Sequence, residues 1–178
     1  MTAAVLGPET SHMLVAYYYI KVLFYITLYI MDTEMEIYTD GSCIKNPGPG
    51  GWAVLSPSGL EMSGSCSGTT NNIMEMTAIN EALAHCVKNK IQKVKIYTDS
   101  TYVQQGITSW IHKWKLNDWK TSTGSPVKNK SLWIIMYDLS LQLQVEWCWV
   151  KAHNGNKYNE LVDKMAFQCA RNISHAIT

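Results

Sequence analysis

The chain is predicted to fold as an α/β domain, a five-stranded mixed sheet with helices on both faces. Three observations predict it. Three short strand-like runs, divided by glycine- and proline-rich spacers, open the domain. Helix-periodic and strand-like segments then alternate to the C-terminus. Two of the strand-like runs close in nearly the same words, YTDG at 38–41 and YTDS at 97–100. Strands joined by tight turns pair antiparallel, whereas strands separated by helices return parallel, so one sheet carries both.

Taken in order, residues 37–39, 52–55 and 61–66 read as short strands. The spacers Asn46-Pro47-Gly48-Pro49-Gly50-Gly51 and Ser56-Pro57-Ser58-Gly59 suit two hairpins. Ile73, Met74, Thr77, Ala78, Ala82, Leu83, Cys86 and Val87 then recur at helical spacing, with Asn71 and Asn72 as caps. Residues 94–97 form a strand, 101–114 helical segments around Gly106, and 117–126 a polar loop. Residues 127–143 read as a helix, 145–150 as a strand and 158–170 as the last helix. Trp133, Trp147 and Trp149 are expected in the core, and His85, His112 and His175 carry no assigned role.

Of 178 residues, 47% are hydrophobic and 16% charged, a globular composition with room for one well-buried domain. Five cysteines stand singly, without CxxC spacing, which argues against a disulfide framework and a zinc site and for a reducing, intracellular setting. Residues 35–178 hold 14 basic and 11 acidic side chains, a formal charge of +3 that permits a polyanionic partner. Residues 1–34 differ. Positions 13–31 make 19 residues, nearly all apolar or tyrosine, interrupted by Lys21 and Thr27. At about 1.5 Å per residue such a helix just spans a bilayer core. Lys21 near its middle would cost about 2.5–3.5 kcal/mol there, and tyrosines spread through the run do not match an interfacial belt. The extension is open to three readings: a dispensable appendage, a membrane-associating helix, or a segment packed on the domain. The expected organisation is an extension over 1–34 and a catalytic domain over 35–178.

Four acidic residues carry most of the information. Asp40 closes the run Ile37-Tyr38 and is expected to open a turn at Gly41-Ser42, and Asp99 closes 94–97. Glu75 falls in the first turns of the helix after Thr70-Asn71-Asn72, and Asp163 falls early in the last helix, ten positions after His153. Each taken singly is equally an ordinary helix-terminal or solvated acid. Gathered together they repel one another, so a fold that gathers them calls for a cation. All-oxygen donors favour Mg²⁺ or Mn²⁺ over zinc, and two such ions about 4 Å apart can clamp an in-line displacement at phosphorus.

The order of motifs resembles type 1 ribonuclease H. The resemblance rests on Thr39-Asp40-Gly41-Ser42-Cys43, Asn46-Pro47-Gly48-Pro49-Gly50-Gly51, Thr70-Asn71-Asn72 with Glu75, Tyr97-Thr98-Asp99-Ser100, and Lys151-Ala152-His153 followed by Asn159-Glu160 and Asp163. It covers roughly residues 35–172. It implies a ribonuclease H-like fold and an endonuclease that cuts the RNA strand of an RNA–DNA hybrid with two Mg²⁺ ions, Mn²⁺ being a substitute. It implies 5′-phosphate and 3′-hydroxyl products. By the family pattern Asp40 bridges both ions, Asp163 completes the site beside the attacking water, and Glu75 and Asp99 the site at the leaving group. His153 would move a proton or help release product; imidazole, with an ordinary pKa of about 6.5, suits either task.

For the substrate, the resemblance points to Asn46, Asn71 and Asn72, with the backbones of Gly41 and Cys43, at the 2′-hydroxyls of the RNA strand. It points to Thr70 and Asn129 at a DNA phosphate, and to Trp110 and Trp114 in a channel for the DNA strand. The spacing of the two tryptophans suits a core pair equally well. The chain departs from the pattern at Gly68, where an arginine often grips that phosphate, and at Ala152, where a glycine is common. No obligate protein partner is implied, and a monomer is expected. Two rival functions fit a similar sheet: a silent hybrid-binding module, against which all four acids speak, and an integrase-like transferase, which lacks this combination of motifs. A product that starts at Met35 is expected to stay soluble and to cleave hybrid; insolubility or inactivity would show that residues 1–34 are needed.

Overall fold

The computed structural model describes residues 34–176, with residues 12, 15–23 and 25 upstream. The chain divides into two units, Met1–Thr33 and Glu34–Thr178. In the first, residues 15–23 and 25 are helical. The remainder of the apolar stretch 13–31 lies outside the described residues. Among the described residues no helix is long and apolar enough to cross a membrane.

In the second unit the strands are β1 (Glu34–Cys43), β2 (Gly48–Leu55), β3 (Glu61–Thr69), β4 (Lys93–Thr98) and β5 (Gln144–Trp149), in the sheet order β3-β2-β1-β4-β5. β1, β2 and β3 pair antiparallel, while β4 runs parallel to both β1 and β5. The helices are α1 (Asn71–Lys88), α2 (Thr101–Gln105), α3 (Ile111–Leu116), α4 (Lys130–Ser140) and α5 (Lys157–Ala176), with a π-helical turn, Gly106–Trp110, joining α2 to α3. The five-stranded mixed sheet is therefore as expected.

The core lies in two layers. On one face α1 presents Met76, Ile79, Leu83 and Cys86 to Ile37, Val54, Val94 and Ile96, and Trp133 of α4 packs behind it. On the other face Val162 and Ala166 of α5, four residues apart, meet Tyr38 and Ala53. β1 is central and covered on both sides, so five consecutive residues, Ile37 to Gly41, are buried instead of alternating.

Several boundaries differ from expectation. β1 continues through Gly41, Ser42 and Cys43, which pair with Trp52, Gly51 and Gly50. Asp40 thus lies inside a strand and opens no turn. The GPGG segment is the start of β2, not part of a loop; a shift in register between Gly48 and Gly50 accommodates Pro49, which has no N–H to give the ladder. The cap of α1 is Thr70, whose Oγ1 accepts from Ile73 N at 3.3 Å, and Asn71 and Asn72 lie within the helix. α4 begins at Lys130 because Asn129 takes a left-handed conformation, φ 58°, and Val127 N donates to Trp119 O in the preceding loop. α5 starts at Lys157, where Asn156 Oδ1 accepts from Tyr158 N and Asn159 N. Trp149 is 49% exposed and outside the core, since β5 is an edge strand.

Gly106 sits at a close approach that needs glycine. A Cβ on Gly106 would collide with the indole of the fully buried Trp133. Gly106→Ala is expected to lower stability by about 1–3 kcal/mol through overpacking; an unchanged urea midpoint would show that the indole moves aside freely.

Candidate active site

The repeated YTD words are placed side by side by strand pairing. Parallel register sets Tyr38 of β1 opposite Tyr97 of β4, and the two rings stack at 4.4 Å and 7°. Two residues further along each strand come Asp40 and Asp99, at the carboxyl end of β4, where open α/β sheets bind ligands. Gly41 then admits the helix. A Cβ there would collide with the backbone of Met74 and Glu75, so only glycine lets the first turns of α1 rest on β1. That contact delivers Glu75 to Asp40.

Carboxylate oxygens of Asp40, Glu75 and Asp99 lie within 4.8 Å of one another. Asp163 stands outside this tight group, yet its charge and a side-chain hydrogen bond both act on Asp40. The four acids the sequence singled out therefore converge at one end of the sheet. Asp40 and Glu75 are each 6% exposed, whereas the Asp163 side chain is 38% exposed. Burial first, and then the charge of Asp99, pushes the Asp40 carboxyl up to about 8, against a lowering by Gly41 N–H. Burial also raises Glu75 well above the ordinary carboxylate range, helped by Asp40, Asp99 and Asp163.

Neutral groups hold these oxygens. Gly41 N donates to Asp40 Oδ1 at 2.8 Å, Asn71 Nδ2 to Glu75 Oε1 at 3.3 Å, and Asn159 Nδ2 to Asp99 Oδ2 at 3.0 Å. Glu75 Oε2 is buried with no hydrogen-bond partner. An orphaned buried carboxylate oxygen inside an acidic cluster fits a hard divalent cation, and the all-carboxylate donor set fits it again. His153 lies in the 151–156 loop at φ 49°, 77% exposed, its Nδ1 3.9 Å from Asp163 Oδ2.

Of the expected substrate residues, Gly41 and Asn71 touch the cluster directly. Asn46 Oδ1 accepts from Asn71 N at 3.2 Å, which ties the turn before β2 to the start of α1. Cys43 Sγ contacts Thr69 O at 3.4 Å, which brings the end of β1 beside the end of β3, next to Thr70. Asn72, Trp114 and Asn129 line a cavity of about 340 Å³ together with Tyr102, Thr121 and Ser125. Trp110 and Trp114, 5.7 Å apart, line a larger groove of about 540 Å³ with Lys113 and Lys120. Trp114 also packs against Trp133, with ring centroids 5.4 Å apart and planes tilted by 59°, so Trp114 both lines the groove and touches the core.

Sequence reasoning assigned no role to Tyr102, whose hydroxyl accepts from Trp133 Nε1 and Asn129 Nδ2. Asn159 entered the sequence reading only as a motif residue and Trp149 only as a core residue; in the structure Asn159 Nδ2 donates to Asp99 Oδ2 and the Trp149 indole N–H donates to Asp99 O at 3.1 Å. Asn159 had one available signal, its place four residues before Asp163 on the same helical face.

A mixed sheet that brings four acids together at one end offers a cluster that could hold a metal ion, as metal-dependent hydrolases do. Residues 32–171 match the model of the RNase H family, and the chain belongs to that family. A ribonuclease H from Neorickettsia sennetsu is 48% identical over 75% of this chain and 90% of its own length. One from Methylobacillus flagellatus is 53% identical over 74% of this chain and 88% of its own. Among solved structures, LC9-RNase H1, described as a type 1 RNase H with the type 2 active-site motif, has a TM-score of 0.70. It is 30% identical and covers 78% of this chain and 72% of that one. The chain is thus an RNase H-type endonuclease acting on the RNA strand of RNA–DNA hybrids, and its family is metal-dependent.

In chelator, the raised carboxyls make stability depend on pH. The unfolded chain ionises Asp40 near pH 4 without cost, but the folded chain resists ionisation up to about pH 8. This group's contribution is therefore most favourable below about pH 4 and is lost as pH rises to about 8. Asp40→Asn is expected to melt higher than the wild type at pH 8 and to lose that advantage near pH 4. Equal melting temperatures across that window would remove the electrostatic account.

Proposed function

We propose that Asp40, Glu75, Asp99 and Asp163 hold two Mg²⁺ ions, for which Mn²⁺ can substitute, and that hydrolysis leaves 5′-phosphate and 3′-hydroxyl ends. The observation that carries this reading is the convergence of three carboxylates around a buried, partnerless Glu75 oxygen. Bound there, the ions would neutralise charge developing at the scissile phosphate and make water a better nucleophile.

The chain's own residues do the rest. Asn46, Asn71 and Asn72, with Gly41 and Cys43 backbone, recognise 2′-hydroxyls, since amides both donate and accept. Thr70 and Asn129 hold a phosphate of the DNA strand, and the Trp110–Trp114 groove with Lys113 and Lys120 packs its sugars and backbone. His153, exposed beside Asp163, carries a proton between the site and solvent. Residues 35–178 form the catalytic domain, which acts as an intracellular monomer without an obligate protein partner. Residues 1–34 are an appendage dispensable for cleavage.

The test is incubation with labelled RNA–DNA hybrid, duplex RNA and duplex DNA, each with Mg²⁺ or chelator. Cleavage of the RNA strand of the hybrid alone, and only with Mg²⁺, is expected. Asp40→Asn should abolish it, and His153→Ala should slow turnover by about 10²-fold without eliminating it. Hybrid retained without cutting would instead favour a binding module.

A further inference from the structure

Of the three N–H groups that hold the cluster, two have other reasons to be there. Gly41 N–H is backbone of β1, and Asn71 is already placed at the substrate in the proposal above. Asn159 has neither reason. It is 2% exposed, extends from the first turn of α5 to Asp99 beyond the end of β4, and donates Nδ2 to Asp99 Oδ2 at 3.0 Å. Its own Oδ1 is buried with no partner. A buried amide with an unsatisfied oxygen costs stability that an apolar side chain of similar volume does not, so packing gives no account of it. What remains is the bond to Asp99. Asp99 follows the last residue of β4, and its carboxylate is set by this bond while its backbone carbonyl is set by the Trp149 indole.

We propose that Asn159 is the positioning residue of Asp99: its amide holds the carboxylate in the orientation that faces Asp40 and Glu75 for cation binding. The donor's neutrality matters as much as its place. A lysine there would cancel part of the charge that attracts the ions, and an aspartate would add a further like charge. Because Asn159 and Asp163 stand one turn apart on α5, the same helix supplies one acid and orients another. The inference rests on the metal reading of the cluster.

The test titrates Mn²⁺ calorimetrically into the full chain and into Asn159→Ala and Asn159→Leu, with melting curves in chelator and hybrid cleavage across a Mg²⁺ series. Both variants are expected to fold and to melt in chelator no lower than the wild type by more than a cavity would explain, Leu keeping the volume. Both should bind Mn²⁺ about tenfold or more weakly, with half-maximal Mg²⁺ for cleavage displaced in parallel and KM for hybrid unchanged. Ion binding equal to the wild type in both variants would overturn the proposal, whatever the rate. Loss of folding in both would assign Asn159 to structure and overturn it too. A wild type that binds no ion would overturn the metal reading itself, which separates that failure from this one.

Discussion

Mutual repulsion among Asp40, Glu75, Asp99 and Asp163 is the constraint on which the rest of the structure depends. Buried carboxylates this close oppose ionisation, and the direction of the shifts at Asp40 and Glu75 follows from burial and from their acidic neighbours. No lysine or arginine among the described ion pairs relieves them; Lys95 and Lys120 pair with Glu34, Glu146 and Asp118 instead. The protein therefore holds a site that is unfavourable when its acids ionise and favourable when a hard cation sits among them. Stability is surrendered locally in return for affinity, a pattern common at functional sites.

The scaffold keeps that arrangement from relaxing. β1 is covered on both faces, and at Asp40 it is paired with Ala53 of β2, which holds the carboxylate in a buried position. Gly41 removes the one atom that would hold α1 away, and the interlocked layer of Ile37, Ile96, Met76 and Leu83 fixes the helix on the sheet. α5 presses on the opposite face through Val162 and Ala166 while its first turns reach the site through Asn159 and Asp163. Three of the acids thus come from β1, α1 and α5, and Asp99 directly follows β4, which is how a site is kept within the tolerance that catalysis requires. His153 is the exception, on an exposed loop, and its proposed task is proton exchange with solvent.

The aromatic layer joins the tryptophan-lined groove to the core. Tyr102 touches Trp110 and Trp133, and Trp114 touches both Trp110 and Trp133, so groove wall and core are one continuous packing unit. Lys115 lies 3.5 Å over the Tyr137 ring, its cation held against the same helical layer. A groove built on core side chains presents a fixed surface, suited to recognition by shape.

The sequence by itself determined most of the elements, that the sheet is mixed, and which four acids come together, because periodicity, turn residues and short ordered motifs are local properties of the chain. It did not determine that β1 runs through Gly41–Cys43, that the GPGG segment pairs as β2, or that α4 waits until Lys130. In each case glycine, proline or asparagine was a local signal that partner strands and a left-handed residue overrode. Nor could it rank Trp149, whose exposure follows only from β5 lying at the sheet edge. Asn159 shows the limit most plainly: its significance is a bond to a residue sixty positions away. Identity is written along the chain, but orientation, burial and charge environment arise between distant segments, and only tertiary packing decides them.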